Sequence, residues 1–259
     1  MRKIRWHYQT GSPLFFVKQM LYRLPEYPAR GFGVCCAHFF VCLTFHCKQR
    51  PMYPLLLLII LSGALHITGL YVKSPSLKMI FKPVTTLLIL YFALQRGGNA
   101  CSAYKVFVLA GLVFSLVGDV FLMLPQQRFV AGLVSFLVAH LFFITAFTWD
   151  GGPYWNWIYL IPAVVYLLLL GSILLRHTGK MTVPVVVYSV VILVFAWQAA
   201  SRYGAHPGQA AAFGLYGAVL FVLSDSLLAY NKFVKTLKWA PATLMVLYWG
   251  ALYFIALSV

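Results

Sequence analysis

The sequence predicts an all-α polytopic membrane protein, a bundle of about eight transmembrane helices. Hydrophobic residues make up 62% of the 259 residues and charged residues only 9%, whereas soluble domains carry roughly 25% charged residues. Apolar runs recur from Tyr53 to the C-terminus, each near the length of about 20 residues that crosses a bilayer as a helix. Helices are expected because each span must satisfy its own backbone groups in lipid, and a membrane barrel would use strands of only about ten residues.

The span boundaries follow from breaks rich in glycine, proline and polar residues, which are typical of turns. The predicted spans lie at about 54–72, 79–95, 103–124, 129–148, 155–175, 182–200, 210–231 and 239–258. Residues 52–259 are therefore predicted to form one eight-span transmembrane domain.

Residues 1–51 differ from the rest of the chain. They are basic, with scattered aromatic residues and no sustained period. Three interpretations remain open: an amphipathic leader, an extra membrane span at 31–45, or sequence upstream of a true start at Met52. We favour the last, because the sequence from Met52 onward is typical of the start of a first helix, and we expect a chain beginning there to insert and fold like the full one.

The charge balance is strongly basic, with 20 Lys and Arg residues against four acids. Because the basic residues lie mostly at span ends and in 1–51, they favour contact with membrane lipid headgroups rather than with nucleic acid. The loops after spans 1, 3, 5 and 7 are the richer set, which predicts that they face the cytoplasm. With their flanks these loops contain Lys73, Lys78, Arg128, Arg176, Lys180, Lys232, Lys235 and Lys238.

Several classes of site have no support in the sequence. Four of the five cysteines lie in the first 50 residues, and their spacing resembles neither a zinc site nor a disulfide framework. Nucleotide-binding, phosphate-loop and metalloprotease motifs are missing, as is a serine-hydrolase nucleophile elbow. We therefore expect no cofactor and no metal, and any chemistry must come from carboxylates.

Two aspartates lie inside apolar spans, Asp119 in span 3 and Asp225 in span 7. A carboxylate in the hydrocarbon region costs several kcal/mol and persists only when it is neutralised, paired or exposed to a wet cavity. Each aspartate could be a structural hydrogen-bonding partner between helices. Intramembrane ionisable residues are more often functional, so both are predicted catalytic residues.

Three more polar residues share the depth of these aspartates. Lys82, His66 and Tyr188 lie, like the aspartates, about three to six residues from span ends on the predicted cytoplasmic side, or roughly 5–10 Å below one membrane face. Singly, Lys82 could snorkel, Tyr188 could belong to an aromatic belt and His66 could be a core histidine. Together they predict one cavity that opens to the cytoplasmic leaflet.

His140 in span 4 is predicted to lie about 8 Å deeper, where it could line the cavity floor or be a buried structural histidine. A weak internal repeat also relates two four-span halves. Asp119 and Asp225 are 106 residues apart, and the same offset relates Gly111 to Gly217 and Lys82 to Tyr188. This pattern is typical of membrane folds built from parallel repeats.

Several segments resemble the YhhN / lysoplasmalogenase family of integral membrane proteins. They are FKPVTTLLIL at 81–90, GDVFLMLP at 118–125, FVAGLVSFLVAH at 129–140 and GAVLFVLSDSLLAYNKF at 217–233. The resemblance covers nearly all of 53–258, and the short loops are more similar to the bacterial branch, which implies a bacterial inner membrane. The last helix departs from the family's polar Tyr-Tyr-x-x-Gln element, since it reads YWGAL at 248–252.

The resemblance implies hydrolysis of the vinyl-ether bond of a lysoplasmalogen, a lysophospholipid substrate, to a fatty aldehyde and a glycerophospho-head group. One of Asp119 and Asp225 would be the protonated acid, and the other, ionised, would stabilise the cation and orient water. Lys82 would hold the substrate phosphate, and His140, Tyr188 and His66 would line the substrate site. A lysolipid or proton-coupled carrier or scramblase remains the alternative, because intramembrane acids with a lysine also serve transport.

Overall fold

The computed structural model describes residues 53–96, 102–124, 128–149 and 151–259. Residues 1–51, and with them the predictions for the N-terminal extension, lie outside the described residues. The described ranges contain eight α-helices long and apolar enough to cross a membrane. They are α1 (Tyr53–Tyr71), α2 (Pro75–Gln95), α3 (Ala103–Met123), α4 (Phe129–Thr148), α5 (Trp157–Leu174), α6 (Thr182–Ala205), α7 (Gln209–Phe233) and α8 (Ala240–Leu257).

These helices confirm the predicted all-α membrane bundle and its eight spans. The largest differences are at two helix ends. α2 begins at Pro75 rather than near 79, because proline suits the first helical turn, where its missing N–H is not needed. α6 continues to Ala205 rather than ending near 200, because its polar last turn finds partners: the Arg202 Nη1 donates to the Tyr104 hydroxyl at 2.9 Å.

The inward faces follow the helical period, with small residues where helices approach closely. α3 buries Val108, Gly111, Leu112, Ser115, Gly118 and Asp119, a stripe with i, i+3 and i+4 spacing. The ring of Phe143 from α4 packs against Gly111, and Ile255 of α8 packs against Gly217 of α7. The third and fourth helices of each predicted half therefore pack together through a glycine at the same repeat position, as membrane helices commonly do.

α8 and α5 lie at opposite extremes of burial. α8 packs against α1, α2, α3 and α7, and nine of its residues are buried. Within α5, all of whose residues are described, Leu174 is the only buried side chain. α5 contacts α6 and α7 and presents leucine, isoleucine and valine side chains outward, which suits a lipid-facing helix at the periphery.

At the end of the bundle where α2 and α8 terminate, basic side chains join neighbouring helix ends. The Lys105 Nζ donates to the carbonyl oxygen of Leu94 at 2.9 Å, and the Arg96 Nη2 donates to that of Leu257 at 3.1 Å. The Tyr104 hydroxyl lies 2.6 Å from the Ser258 Oγ. Cations at the carboxyl ends of helices are stabilised by the helix dipole, so this network holds α2, α3, α6 and α8 together at that end.

Candidate functional site

Asp119 lies in a closed, charge-compensated cluster between α2, α3 and α8. Its side chain is fully buried. The Lys82 Nζ is 3.2 Å from its Oδ1. The Thr86 hydroxyl donates to its Oδ2 at 2.6 Å, and the Tyr248 hydroxyl donates to the same oxygen at 2.9 Å. The cluster therefore neutralises and hydrogen-bonds the carboxylate, as a buried charge in an apolar environment requires.

Helix geometry places these partners. Lys82 and Thr86 are four residues apart on α2, so both project from one face. Gly118, beside the aspartate, accepts the ring of Phe136 from α4, which lets α3 and α4 pack closely at this level. Tyr248 comes from the central helix α8 and is buried. The last helix thus supplies a tyrosine hydroxyl to Asp119.

Asp225 on α7 has a simpler environment. The Tyr188 hydroxyl of α6 donates a hydrogen bond to its Oδ2, and no cation is paired with it among the described residues. Asp225 is only partly buried, whereas Tyr188 is buried. Lys82 and Tyr188 therefore take corresponding roles in the two halves, each as the partner from the second helix to the aspartate on the third. This agreement supports the predicted repeat.

A cavity of about 270 Å³ lies beside Asp225 between α4, α5, α6 and α7. Its wall is mostly leucine, isoleucine, valine, alanine and phenylalanine, with Asp225, Tyr188, Tyr166, Ser189 and Ser226 as the polar members. The Tyr166 hydroxyl of α5 donates to the Ser226 Oγ at 2.9 Å. The volume is just below the roughly 300–1,000 Å³ of small-molecule sites, so the cavity accommodates a short apolar segment next to a carboxyl group.

A layer of packed aromatic rings lies between the two aspartates. The ring of Tyr248 lies 5.6 Å from that of Phe221, the Phe221 ring 4.5 Å from that of His140, and the His140 ring 5.6 Å from that of Tyr188. Both ends of this series carry hydroxyl groups that donate to an aspartate. The two carboxyl groups therefore belong to distinct clusters that share one packed aromatic layer.

The predicted histidines lie outside the cavity wall. The His66 Nδ1 is 3.1 Å from the carbonyl oxygen of Lys78, and its ring meets Trp249 edge-on. The His140 Nδ1 is 2.7 Å from the carbonyl oxygen of Phe136, while its buried Nε2 has no hydrogen-bond partner in the described part of the chain. Of the residues predicted to share one cavity, Asp225 and Tyr188 line the space beside α5. Asp119, Lys82, His66 and His140 are not among its lining residues.

Two residues of the Asp119 cluster were missed by sequence reasoning. Thr86 had a usable signal, because it lies one helical turn after Lys82 within the FKPVTT segment. Tyr248 had a weaker one, since a single tyrosine in an apolar span is common at membrane interfaces. Its contact with Asp119 joins residues 129 positions apart, so it depends on the packing of α8 against α3.

Comparisons with known proteins agree with this architecture. The model of the YhhN family matches residues 77–259. A lysoplasmalogenase TMEM86B of Rattus norvegicus is 30% identical over 177 residues, which are 68% of this chain and 70% of that protein. A lysoplasmalogenase TMEM86A of Homo sapiens is 34% identical over 161 residues, 61% of this chain and 65% of that protein.

A bacterial relative is similar at the same level. The uncharacterized membrane protein YhhN of Shigella flexneri is 30% identical over 169 residues, which are 64% of this chain and 78% of that protein. No solved structure matches the chain.

Proposed function

The chain belongs to the YhhN family of multi-pass membrane proteins, and from this premise we propose that it hydrolyses the vinyl-ether bond of lysoplasmalogen-type lysolipids. Relatives from rat and human are named lysoplasmalogenases. The products would be a fatty aldehyde and a glycerophospho-head group. The short loops resemble the bacterial branch of the family, and we place the activity in a bacterial inner membrane.

The observation that carries the proposal is the cavity beside Asp225. It offers an apolar wall for a hydrocarbon chain and one carboxyl group where a chain carbon can be protonated. Its volume of about 270 Å³ holds part of a lipid chain, and the rest of the chain would stay in the bilayer. A water-poor, apolar environment favours the uncharged form of a carboxyl group that no cation neutralises, which suits Asp225 to the role of acid.

The reaction balances with one carboxyl group and one water molecule. Asp225 gives its proton to the alkene carbon farther from the ether oxygen, and the other alkene carbon becomes part of an oxocarbenium ion. Water adds to that carbon, and its proton returns to the Asp225 carboxylate. The resulting hemiacetal collapses to an aldehyde and a glycerol hydroxyl group. General acid catalysis of this kind is typically worth about 10²–10⁴ in rate.

We assign Asp119 a different role from Asp225. Asp119 is paired with Lys82, and the hydrogen bond that it accepts from the Tyr248 hydroxyl holds the tyrosine ring against the aromatic layer. The Asp119–Lys82 pair has no net charge and does not line the cavity. We therefore propose that it supports the site by positioning the aromatic layer, with Lys82 as the counter-ion of Asp119. The phosphate contact expected for Lys82 and the substrate contacts expected for His66 and His140 remain predictions.

The test is aldehyde release from a 1-alkenyl lysophospholipid by the purified protein in detergent or vesicles. The matched control is the saturated 1-alkyl ether of the same chain length and headgroup, which has no alkene to protonate. We expect aldehyde from the first compound and no product from the second. Cleavage of a 1-acyl lysolipid at the same rate would indicate an esterase and contradict the proposal.

The carrier alternative gives a different result in the same vesicles. A carrier would move the lysolipid between leaflets without releasing aldehyde. Transport with no aldehyde, from protein shown to be folded by its thermal unfolding, would replace the hydrolase proposal with a carrier.

A further inference from the structure

We propose that Lys232, at the end of α7, binds the phosphate group of the lysolipid at the mouth of the cavity beside Asp225. This inference rests on the proposed function and adds a headgroup site to it. It places the substrate along α7, with the headgroup at Lys232, the vinyl ether at Asp225 and the first part of the chain deeper in the cavity.

The cavity runs along α7 to the end of that helix. Its lining includes Val219 near the middle of the helix and Phe233 at its last residue. These residues are fourteen positions apart, about 21 Å along the axis at 1.5 Å per residue. Asp225 lies between them, so a substrate can extend from it in both directions.

Lys232 follows Asp225 by seven residues, which is close to two helical turns and returns to the same face. The axial separation is about 10 Å. Long side chains on a helix lean toward its N-terminus, which brings the ammonium group nearer to the carboxyl group than the backbone spacing suggests. In a lysoplasmalogen the phosphate ester and the vinyl ether are separated by the three glycerol carbons, which suits this reach.

The contacts at the mouth support the same placement. The Lys232 Nζ lies 5.1 Å from the centre of the Phe129 ring, and Phe129 packs edge-on against Phe233. Both phenylalanines line the cavity. The turn after α7 is held in place because the Asn231 Oδ1 accepts the N–H of Leu237 at 2.7 Å. Lys232 is exposed at this position.

The available charges also favour Lys232. Among the described residues the acids are Asp119 and Asp225, which contact Lys82 and Tyr188 respectively. Lys232 therefore has no carboxylate partner in this part of the chain. Lys82 is buried in its ion pair, so binding a phosphate there would require separating it from Asp119. An exposed, unpaired ammonium group is the better phosphate ligand, since it acts as a point charge.

The experiment compares Lys232→Met with Lys235→Met on two substrates. Lys235 is also exposed and lies three residues further along the chain, beyond the last residue of α7. For a 1-alkenyl lysophospholipid we expect Lys232→Met to raise KM about ten-fold with little change in kcat, because a headgroup contact acts equally in the ground and transition states. For a 1-alkenyl glycerol, which lacks phosphate, the KM of this variant should match that of the unmodified protein.

Two further variants and a set of competitors distinguish the possible outcomes. Lys235→Met should behave like the unmodified protein on both substrates, and Lys232→Arg should restore most of the affinity. A 1-acyl lysophospholipid should compete with the substrate more strongly than a monoacylglycerol, and inorganic phosphate should not compete. The headgroup site would be wrong if Lys232→Met left KM unchanged or if Lys235→Met had an equal effect. It would also be wrong if inorganic phosphate competed with the substrate and the 1-acyl lysophospholipid did not. If the unmodified protein releases no aldehyde from either substrate, the proposed function itself fails.

Discussion

The two aspartate clusters occupy equivalent positions in the two halves of the molecule but differ in closure. Asp119 is fully buried with a cation and two hydroxyl donors, whereas Asp225 is partly buried with one tyrosine and an adjacent cavity. The same fold position thus supports a buried ion pair in one half and a carboxyl group beside a cavity in the other. Two intramembrane acids need not share one task.

The first helices of the two halves differ in how closely they pack against the rest of the bundle. α1 packs closely because Gly63 meets the ring of Trp249 and the Ser62 Oγ lies 2.7 Å from the Thr85 Oγ1. The positions 106 residues later on α5 are Leu168 and Leu169, which are exposed. Small residues allow helices to approach in membranes, and α5 offers none at these two positions.

The largest expected effect is that of Asp225→Asn. The amide has no acidic proton to give to the alkene, so we expect kcat to fall by about 10²–10⁴. Folding should be retained, because the new Oδ1 can still accept the Tyr188 hydrogen bond. Aldehyde release and thermal unfolding of the same preparation measure the two effects. Near-normal turnover would remove Asp225 from the chemistry and with it the contrast between the clusters.

A double-mutant cycle at Asp119 and Lys82 sharpens the comparison. Asp119→Asn leaves a buried ammonium group without its counter-ion, a change that typically costs about 3–5 kcal/mol of stability. We expect a smaller loss of turnover than for Asp225→Asn. Combining it with Lys82→Met should recover much of the stability, because the unpaired charge is gone. Unfolding in denaturant and initial rates are the measurements.

The cycle can also reverse the assignment. If Asp119→Asn keeps its stability but loses as much turnover as Asp225→Asn, both carboxyl groups take part in the reaction, as the sequence alone predicted. If Lys82→Met raises KM without lowering kcat, Lys82 binds the phosphate and the headgroup site at Lys232 loses its basis.

Smaller effects are expected for the two tyrosines, and Tyr188→Phe removes one hydrogen bond and keeps the ring. The contact of that ring with His140 should persist. We expect kcat to fall about 10–150-fold, since a hydrogen bond to the carboxylate that forms as the proton leaves is worth roughly 1.5–3 kcal/mol. Tyr248→Phe is the matched variant, because its hydroxyl contacts Asp119, and it should reduce kcat less. Equal losses would mean that the two clusters contribute alike.

The sequence by itself determined the fold class, the eight spans and the two intramembrane aspartates, because the cost of placing polar groups in lipid is visible in composition and spacing. Equal depth along each helix also predicted that Lys82 lies level with Asp119 and Tyr188 with Asp225. Depth along an axis does not specify which way each side chain points around it. One shared cavity was therefore expected where the structure has two clusters.

Only the tertiary structure decided which groups meet. Tyr248 reaches Asp119 across 129 positions because α8 packs against α3, and no local pattern encodes that contact. The cavity lies beside α5, which buries fewer of its residues than α1, and that difference depends on helix rotation and spacing. Hydrophobicity drives every span into the membrane alike, but the fit of small and large side chains between helices sets where a bundle closes and where it leaves space.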